Sequence, residues 1–583
     1  MFKLLKKIGK YWYLCVAMFL SICAQVVADF FLPFFLGEII GTLQATPISV
    51  ENVFYSAIWM ILVAAISGGA SLLTCKLSSL VTAHIVATTR YDLFKKIESF
   101  STTEMGKFSV SSLVTRTTND LTMISNAYHL CFRFLLYGPL IAIAALTFMA
   151  IERVWPLTIT ICIALGLMIV FIIILAAVAI PKYQAIQGRL DKVTTVTREN
   201  LEGLRVVRAY NAEDFQEKKF NGVNESLRKT EAFANRALGF LTPGIQLIVG
   251  ALNVTIYCVG SYLISEGQFV YAGLSTVTQF AALILTGFIM ITVVIVQLPR
   301  AIVCAKRVNE VLETEPVVKD PENPKHGTEI GTIKFENVTF AYPGGGEPVL
   351  KNISFEVKKG ETIAFIGATG AGKSTLVNLM PRFFDTVEGN VYVDGVNVKD
   401  YKQSELISKF GYVPQRGYLF HDTLKNNVTI GKLNANPAQI ERALNIAQAS
   451  EFVQKLPGKL EYEISQGGKN VSGGQRQRLC IARAIIMEPE IFIFDDSFSA
   501  LDYRTDKVLR GEIKDKCKGT TNVIVAQRVG TILDADKIVV LDNGNMVGMG
   551  KHAELLRSCP IYKEIALSQL SAEELEAGLK GGN

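Results

Sequence analysis

Gly367-Ala368-Thr369-Gly370-Ala371-Gly372-Lys373-Ser374-Thr375 reads as a complete phosphate-binding loop. A strand-like run over 361–366 leads into it and a helix-like run over 376–383 follows, the setting in which such a loop works. Its glycines let backbone N–H groups fold around phosphate oxygens, and the start of the helix adds the positive end of its dipole. Lys373 is expected to contact the β- and γ-phosphates, and the Ser374 hydroxyl to bind Mg2+. A glycine turn in an unrelated fold is the competing reading, and the flanking strand and helix argue against it.

Further along, Ile491-Phe492-Ile493-Phe494-Asp495 is a buried-type strand ending in a carboxylate. That is where a Mg2+-associated aspartate belongs in a phosphate-loop ATPase, with a capped core strand as the plainer alternative. Around both motifs, short β-type runs alternate with helical segments, giving a mixed α/β domain from about residue 332. Ahead of it, Glu315-Pro316-Val317-Val318-Lys319-Asp320-Pro321-Glu322-Asn323-Pro324 is polar and proline-rich and reads as a linker.

The N-terminal half is of another kind. Of the 583 residues, 50% are hydrophobic and 19% charged, against ~25% charged in soluble domains. This composition excludes a disordered chain and a small disulfide-stapled module, and it argues against a wholly soluble enzyme. Six windows, 11–37, 53–75, 134–151, 154–181, 237–265 and 267–299, have the ~20 apolar residues a bilayer crossing needs, and Asp29 is the only charged residue in them. The first window follows Lys3, Lys6, Lys7 and Lys10 but is too long for a signal peptide and shows no small-residue cleavage site, so it reads as a retained span. Phe2, Leu4, Leu5 and Ile8 alternate with those lysines and make residues 1–10 an interfacial elbow helix on the lipid bilayer.

Residues 38–52 contain neither Lys nor Arg, whereas 76–126 carry Lys76, Arg90, Lys95, Lys96, Lys107 and Arg116, and 182–236 are richer still. By the positive-inside rule the N-terminus, both long polar segments and everything after Pro299 face the cytoplasm, in a multi-pass cytoplasmic (inner) membrane protein. This placement explains much of the net charge of +6 without invoking nucleic acid. The ten cysteines and five histidines show no metal-like or paired spacing. The two polar segments are helix-permissive and read as amphipathic extensions of the membrane helices, each ending in a reversal, near 108–120 and 205–215, placed to touch a soluble domain.

Val471-Ser472-Gly473-Gly474-Gln475-Arg476-Gln477-Arg478, followed by a helical 479–486, resembles the signature of ATP-binding cassette (ABC) proteins. Around it Tyr342 resembles the aromatic that stacks on adenine, and Gln415 the glutamine that senses Mg2+ and communicates with the membrane domain. Ser499-Ala500-Leu501-Asp502 resembles the loop that crosses the dimer interface, with Asp502 as its carboxylate. With six preceding spans, the chain resembles a half-transporter of the type IV multidrug-exporter family, nearest the bacterial heterodimeric exporters. The resemblance implies a six-span α-helical membrane domain over 11–313, a linker over 314–331, a mixed α/β nucleotide-binding domain over 332–570 and a tail over 571–583. It also implies ATP and Mg2+ as cofactors, the metal held through Ser374, Gln415 and Asp495.

Two positions depart from the family's active pattern. Asp496 stands where the catalytic glutamate follows Asp495, and Gln527 stands where the switch histidine belongs. A general base must come within ~2.6–3.2 Å of the proton it takes, or act through one water; Asp is one methylene shorter than Glu, and Gln brings no imidazole. Near Ser465 the family's usual acidic residue is also absent. The resemblance thus implies a site that binds ATP but hydrolyses it poorly, and a second, non-identical half-transporter whose active site is completed by Ser472, Gly473, Gly474 and Gln475 of this chain.

A mid-span carboxylate is costly and usually faces a cavity or a partner, so Asp29 is a candidate to meet cationic substrates, with hydrogen-bonded helix packing as the alternative. Gln25, Gln246, Asn253 and Gln279 read first as interhelical bonding groups. The expected function is ATP-driven efflux of small amphipathic compounds, drugs or lipids. Alternatives are export of a specific peptide or metabolite, and an ATP-gated membrane regulator that does not transport.

Overall fold

The structure, a computed structural model, describes residues 9, 11–45, 48–152 and 154–570. The expected elbow helix over 1–10 (Gly9 excepted) and the tail over 571–583 lie outside the described residues. Two compact units form, one from the chain up to Glu98 together with Ser111–Thr314, the other from Ser99–Val110 together with the chain from Glu315 on.

The first unit is helical: α1 (Trp12–Gln44), α2 (Val50–Glu98), α3 (Thr102–Lys107, counted with the second unit), α4 (Val110–Thr117), α5 (Asn119–Ile151), α6 (Trp155–Glu202), α7 (Leu204–Ala209), α8 (Glu213–Gly239), α9 (Leu241–Ser265) and α10 (Tyr271–Glu313). Among the described residues, six helical stretches are long and apolar enough to cross a membrane. At about 1.5 Å per residue, the 49 residues of α2 far exceed the ~30 Å hydrocarbon core. Its lower part therefore runs on as the amphipathic extension read from the sequence, and α6, with 48 residues, does the same.

With lipid on the outside, helix association rests on close packing and interhelical hydrogen bonds. Gly138 of α5 meets Gly287 of α10 backbone to backbone, since a Cβ on Gly138 would lie 2.7 Å from the Gly287 carbonyl oxygen. Phe30, Phe148 and Phe280 pack together, with ring centroids 5.1 to 5.5 Å apart, and hold α1, α5 and α10 around one centre. At the polar end of the unit, Arg116 of α4 donates to the Arg307 carbonyl and pairs with Glu310 of α10.

The first reversal starts earlier than 108–120. Ser101 and Glu104 form a reciprocal capping box that opens α3, and the helix then stops at Lys107. The signal, Ser-x-x-Glu, is in the sequence. The second reversal falls where expected, with Gly203 and the left-handed Asn211 bracketing α7.

Among the described residues the second unit carries twelve strands: β1 (Ile333–Phe340), β2 (Leu350–Val357), β3 (Thr362–Gly367), β4 (Glu388–Val393), β5 (Val396–Asn397), β6 (Phe410–Val413), β7 (Asp422–Thr423), β8 (Glu463–Ile464), β9 (Ile491–Asp495), β10 (Thr521–Val525), β11 (Lys537–Asp542) and β12 (Asn545–Gly550). A six-stranded sheet runs β12-β11-β3-β10-β9-β6, and a four-stranded antiparallel sheet runs β2-β1-β4-β5. In the larger sheet β11, β3, β10, β9 and β6 are parallel, and β12 closes one edge antiparallel. A parallel sheet is covered on both faces, which is why β9 is buried at every position. The order β3-β10-β9 brings the carboxyl ends of these strands side by side, and in open α/β sheets that edge is where ligands bind. The helix after the phosphate loop spans Lys373–Leu379 and does not reach the expected Phe383. Pro381 has no N–H to give the Val377 carbonyl, so the helical ladder ends there.

Candidate nucleotide site

The phosphate loop leaves the end of β3 in a conformation its glycines permit. A Cβ on Gly367 would lie 2.1 Å from the Leu541 carbonyl oxygen, and Gly372, at φ +97°, sits against Leu350 and Val349. Lys373 turns its Nζ back onto the carbonyls of Gly367 and Ala368, at 2.8 Å each. Burial holds its pKa below the usual lysine value. The ammonium is thus stored over the loop, where a phosphate oxygen would replace the two carbonyls.

The neighbours of the loop come from four elements. Ser374 Oγ donates to Asp495 Oδ1 at 2.8 Å, joining the loop to the end of β9. Thr375 Oγ1 and the Tyr342 hydroxyl are hydrogen-bonded at 2.9 Å. Tyr342 also packs edge-on against Phe340 and Phe384. Its ring is 38% exposed, so it retains an accessible surface beside the loop.

Asp496 is the centre of the remaining geometry. It adopts φ +48°, a left-handed backbone that Asp tolerates better than most residues. Its N–H bonds the Val525 carbonyl at 3.0 Å, tying the turn after β9 to β10. Its Oδ2 accepts two carboxamide N–H groups, from Gln527 at 2.8 Å and Gln415 at 3.2 Å. Burial raises the pKa of both Asp495 and Asp496 above the ordinary carboxylate range, and the Ser374 and Gln415 donors pull the other way.

The donor set suits Mg2+. A serine hydroxyl and a carboxylate within hydrogen-bond distance of one another, both at the loop, are hard oxygen donors, and Mg2+ typically takes one or two carboxylates plus substrate phosphates. Among the described residues no cluster of three or more His, Cys, Asp or Glu competes as a metal site.

The signature stands apart. Ser472 caps the helix Gly473–Ile485 with a complete capping box: its Oγ accepts from Gln475 N–H at 3.2 Å and Gln475 Oε1 accepts from Ser472 N–H at 2.9 Å. A Cβ on Gly473 would meet nothing, while Gly474 lies against the Ala500 carbonyl. Asp502 caps the helix Tyr503–Lys516 through Thr505 N–H at 3.0 Å, a bond that lowers its pKa. Among the described residues no hydrogen bond joins Ser472–Gln475 or Asp502 to the phosphate loop. Hydrogen bonds therefore gather Tyr342, the Gly367–Thr375 loop, Asp495, and Asp496 with Gln415 and Gln527, and none of them reaches the signature.

Gln477 was not singled out in the sequence. It is buried, and its Nε2 donates to the Pro414 carbonyl at 3.2 Å, linking the signature helix to the segment that carries Gln415. The available signal was a polar residue on the apolar side of a short helix.

Asp29 lies in α1 and is 9% exposed. It accepts hydrogen bonds from Tyr137 on α5 at 2.7 Å, from Ser67 on α2, and from Gln25 at 3.5 Å. Among the described residues it has no cationic partner.

Comparison with known proteins agrees with this arrangement. Residues 14–289 match the ABC transporter transmembrane region and residues 350–499 match the ABC transporter family. An uncharacterized ABC transporter ATP-binding protein of Mycobacterium tuberculosis is 37% identical over 82% of this chain and 83% of its own. A probable multidrug resistance ABC transporter ATP-binding/permease protein of Bacillus subtilis is 29% identical over 100% of both chains. The solved structure of a bacterial Atm1-family ABC exporter with ATP bound superposes with a TM-score of 0.80 at 23% identity, over 97% of this chain and 99% of that one, and so shares its fold. With six membrane-crossing helices followed by a phosphate-loop domain, and a relative at 37% identity over four-fifths of both sequences, this chain belongs to the ABC transporter family.

Proposed function

We propose that this chain is one half of a heterodimeric ABC exporter that moves small amphipathic compounds across the cytoplasmic membrane, with its nucleotide-binding domain in the cytoplasm. Its own phosphate loop holds ATP and hydrolyses it slowly, and its signature completes the active site of a different chain. The observation that carries this reading is the convergence of two carboxamides on one oxygen of Asp496. A general base must present a free lone pair to the attacking water. Here two amides that neither give up nor accept a proton at neutral pH hold Oδ2 and fix the carboxylate's orientation, on a side chain already one methylene short. Burial favours a proton on Asp496, yet that oxygen is turned toward Gln415 and Gln527.

The rest of the site is built to hold nucleotide. Lys373 would exchange two carbonyls for phosphate oxygens, and Ser374 and Asp495, with Gln415, would ligate Mg2+. When bound, that ion neutralises charge on the β- and γ-phosphates. The full-length likeness to the Bacillus subtilis multidrug protein and spans that carry a single charged residue, Asp29, support amphipathic cargo. Conformational switching follows only from nucleotide's differential affinity for the two states of the pair.

The test is ATPase activity of the purified chain alone and of the complex with its partner. The chain alone should be nearly inactive and the complex active. Robust turnover by a pure homodimer would defeat the proposal.

A further inference from the structure

The switch segment after β10 is gripped from an unexpected quarter. Gln569, the last residue of the C-terminal helix Pro560–Gln569, spans it with both ends of its carboxamide. Its Nε2 donates to the Gln527 carbonyl at 2.9 Å and its Oε1 accepts from the Val529 N–H at 2.8 Å. A two-point contact fixes orientation as well as distance, because one rigid amide plane must satisfy a donor and an acceptor two residues apart. Among the described residues no other side chain bonds the Gln527 carbonyl.

The helix is anchored so that this grip is not incidental. Tyr562 and Ala566 are fully buried and seat the helix; Gln569, three residues beyond Ala566 at the helix end, is itself exposed and reaches the switch segment from there. Tyr562 is further tied through its hydroxyl to His552 Nδ1 at 2.7 Å. At the other end of the segment Val529 is buried, and Arg510, paired with Asp506, donates to the Thr531 carbonyl at 3.0 Å. Between these supports, the position of Gln527 depends on Gln569. Gln527 in turn donates to Asp496, whose other amide donor is Gln415. A continuous chain of bonds thus runs from the C-terminal helix to the carboxylate beside the phosphate loop.

We propose that Gln569 is a positioning residue through which the C-terminal helix holds the switch segment and the Asp496 carboxylate in place, and so sets how long nucleotide stays on this chain's phosphate loop. The proposal rests on the reading that this loop retains ATP. It assigns the C-terminal helix a part in the retaining site alone, with the partner's hydrolytic turnover left to other groups.

The experiment uses the intact complex and radiolabelled 8-azido-ATP with Mg2+. Photolabelling after increasing times of chase with unlabelled ATP reports release from each chain separately. Gln569→Ala should speed loss of label from this chain about tenfold, the size expected for one to two net hydrogen bonds. Gln569→Glu has the same size and keeps the acceptor but sets a carboxylate against the Gln527 carbonyl, so it should release as fast as Ala. A merely space-filling role would leave Glu like wild type. Lys563→Ala, at another exposed position of the same helix, should not change release, and partner-site turnover should stay within twofold in all three. Wild-type release in Gln569→Ala, or equal acceleration in Lys563→Ala, would overturn the proposal. Whether the retained label is ATP or ADP judges slow hydrolysis separately, since the clamp is read from the rate of release whichever nucleotide is held.

Discussion

The phosphate-loop side and the signature side of this nucleotide-binding domain are specified in different ways. The signature is a local motif: Ser472 and Gln475 cap each other, and the helix start that results is fixed by four consecutive residues. The phosphate-loop side is assembled from distant segments, with Tyr342, Ser374, Gln415, Asp495, Asp496 and Gln527 brought together by strand order. A local motif keeps its geometry while its surroundings change. An assembled site is altered as soon as one contributor changes its chemistry, as at Asp496 and Gln527. On the proposed reading, one chain carries a signature fit for a working active site beside a loop that only binds.

The largest effect should come from the hydrolytic base. In the complex, replacing the partner's catalytic glutamate by Gln should reduce ATPase by about 100-fold or more, the scale of a lost general base. Asp496→Gln should leave the greater part of it. Comparable losses from both, in the same steady-state assay, would erase the asymmetry.

Next is the signature itself. Ser472→Ala removes the capping oxygen that holds the start of the helix Gly473–Ile485, worth roughly 1 kcal/mol, and disturbs the group offered to the partner. Turnover of the complex should fall about tenfold with a domain melting shift of only a few degrees. Full activity would place the productive signature on the other chain.

A smaller gain should follow from repairing the loop side. Asp496→Glu combined with Gln527→His restores reach and removes one of the two amides on the carboxylate. ATPase of the complex should rise up to about twofold, the most that a second working site of equal rate would add, and trapped nucleotide on this chain should convert from ATP to ADP. If ATP persists there, the block lies elsewhere, for instance in a degenerate partner signature.

The sequence foretold these regions unevenly, and the reason is physical. The phosphate loop, the signature and the six spans are patterns of neighbouring residues, which a sequence displays directly. Composition also separated the membrane half from the α/β half. What stayed hidden depends on tertiary approach. The two amides on Asp496 come from positions 81 and 31 residues away, and no local signal announces them. Gln569 was likewise unreadable, since its partners lie 42 and 40 residues back. The early stop of the helix at Leu379 and the capping box at Ser101 were legible from Pro381 and from Ser-x-x-Glu, and were overlooked in favour of apolar pattern.

The smallest effect tests the membrane side. Asp29 accepts from Tyr137, Ser67 and Gln25, donors on three helices, which is what a packing role requires; a cavity role requires that the same carboxylate also meet a cation. Asn keeps one oxygen acceptor for Tyr137 or Ser67 and loses the charge. If packing is its whole work, Asp29→Asn should cost about 0.6 kcal/mol, the average for an interhelical hydrogen bond, and should leave export of cationic and neutral dyes in the same ratio as wild type. If Asp29 meets substrate, the ratio should move against cationic dyes while basal ATPase holds. The ratio decides between the two, because a change in folding or in nucleotide handling would scale both dyes together.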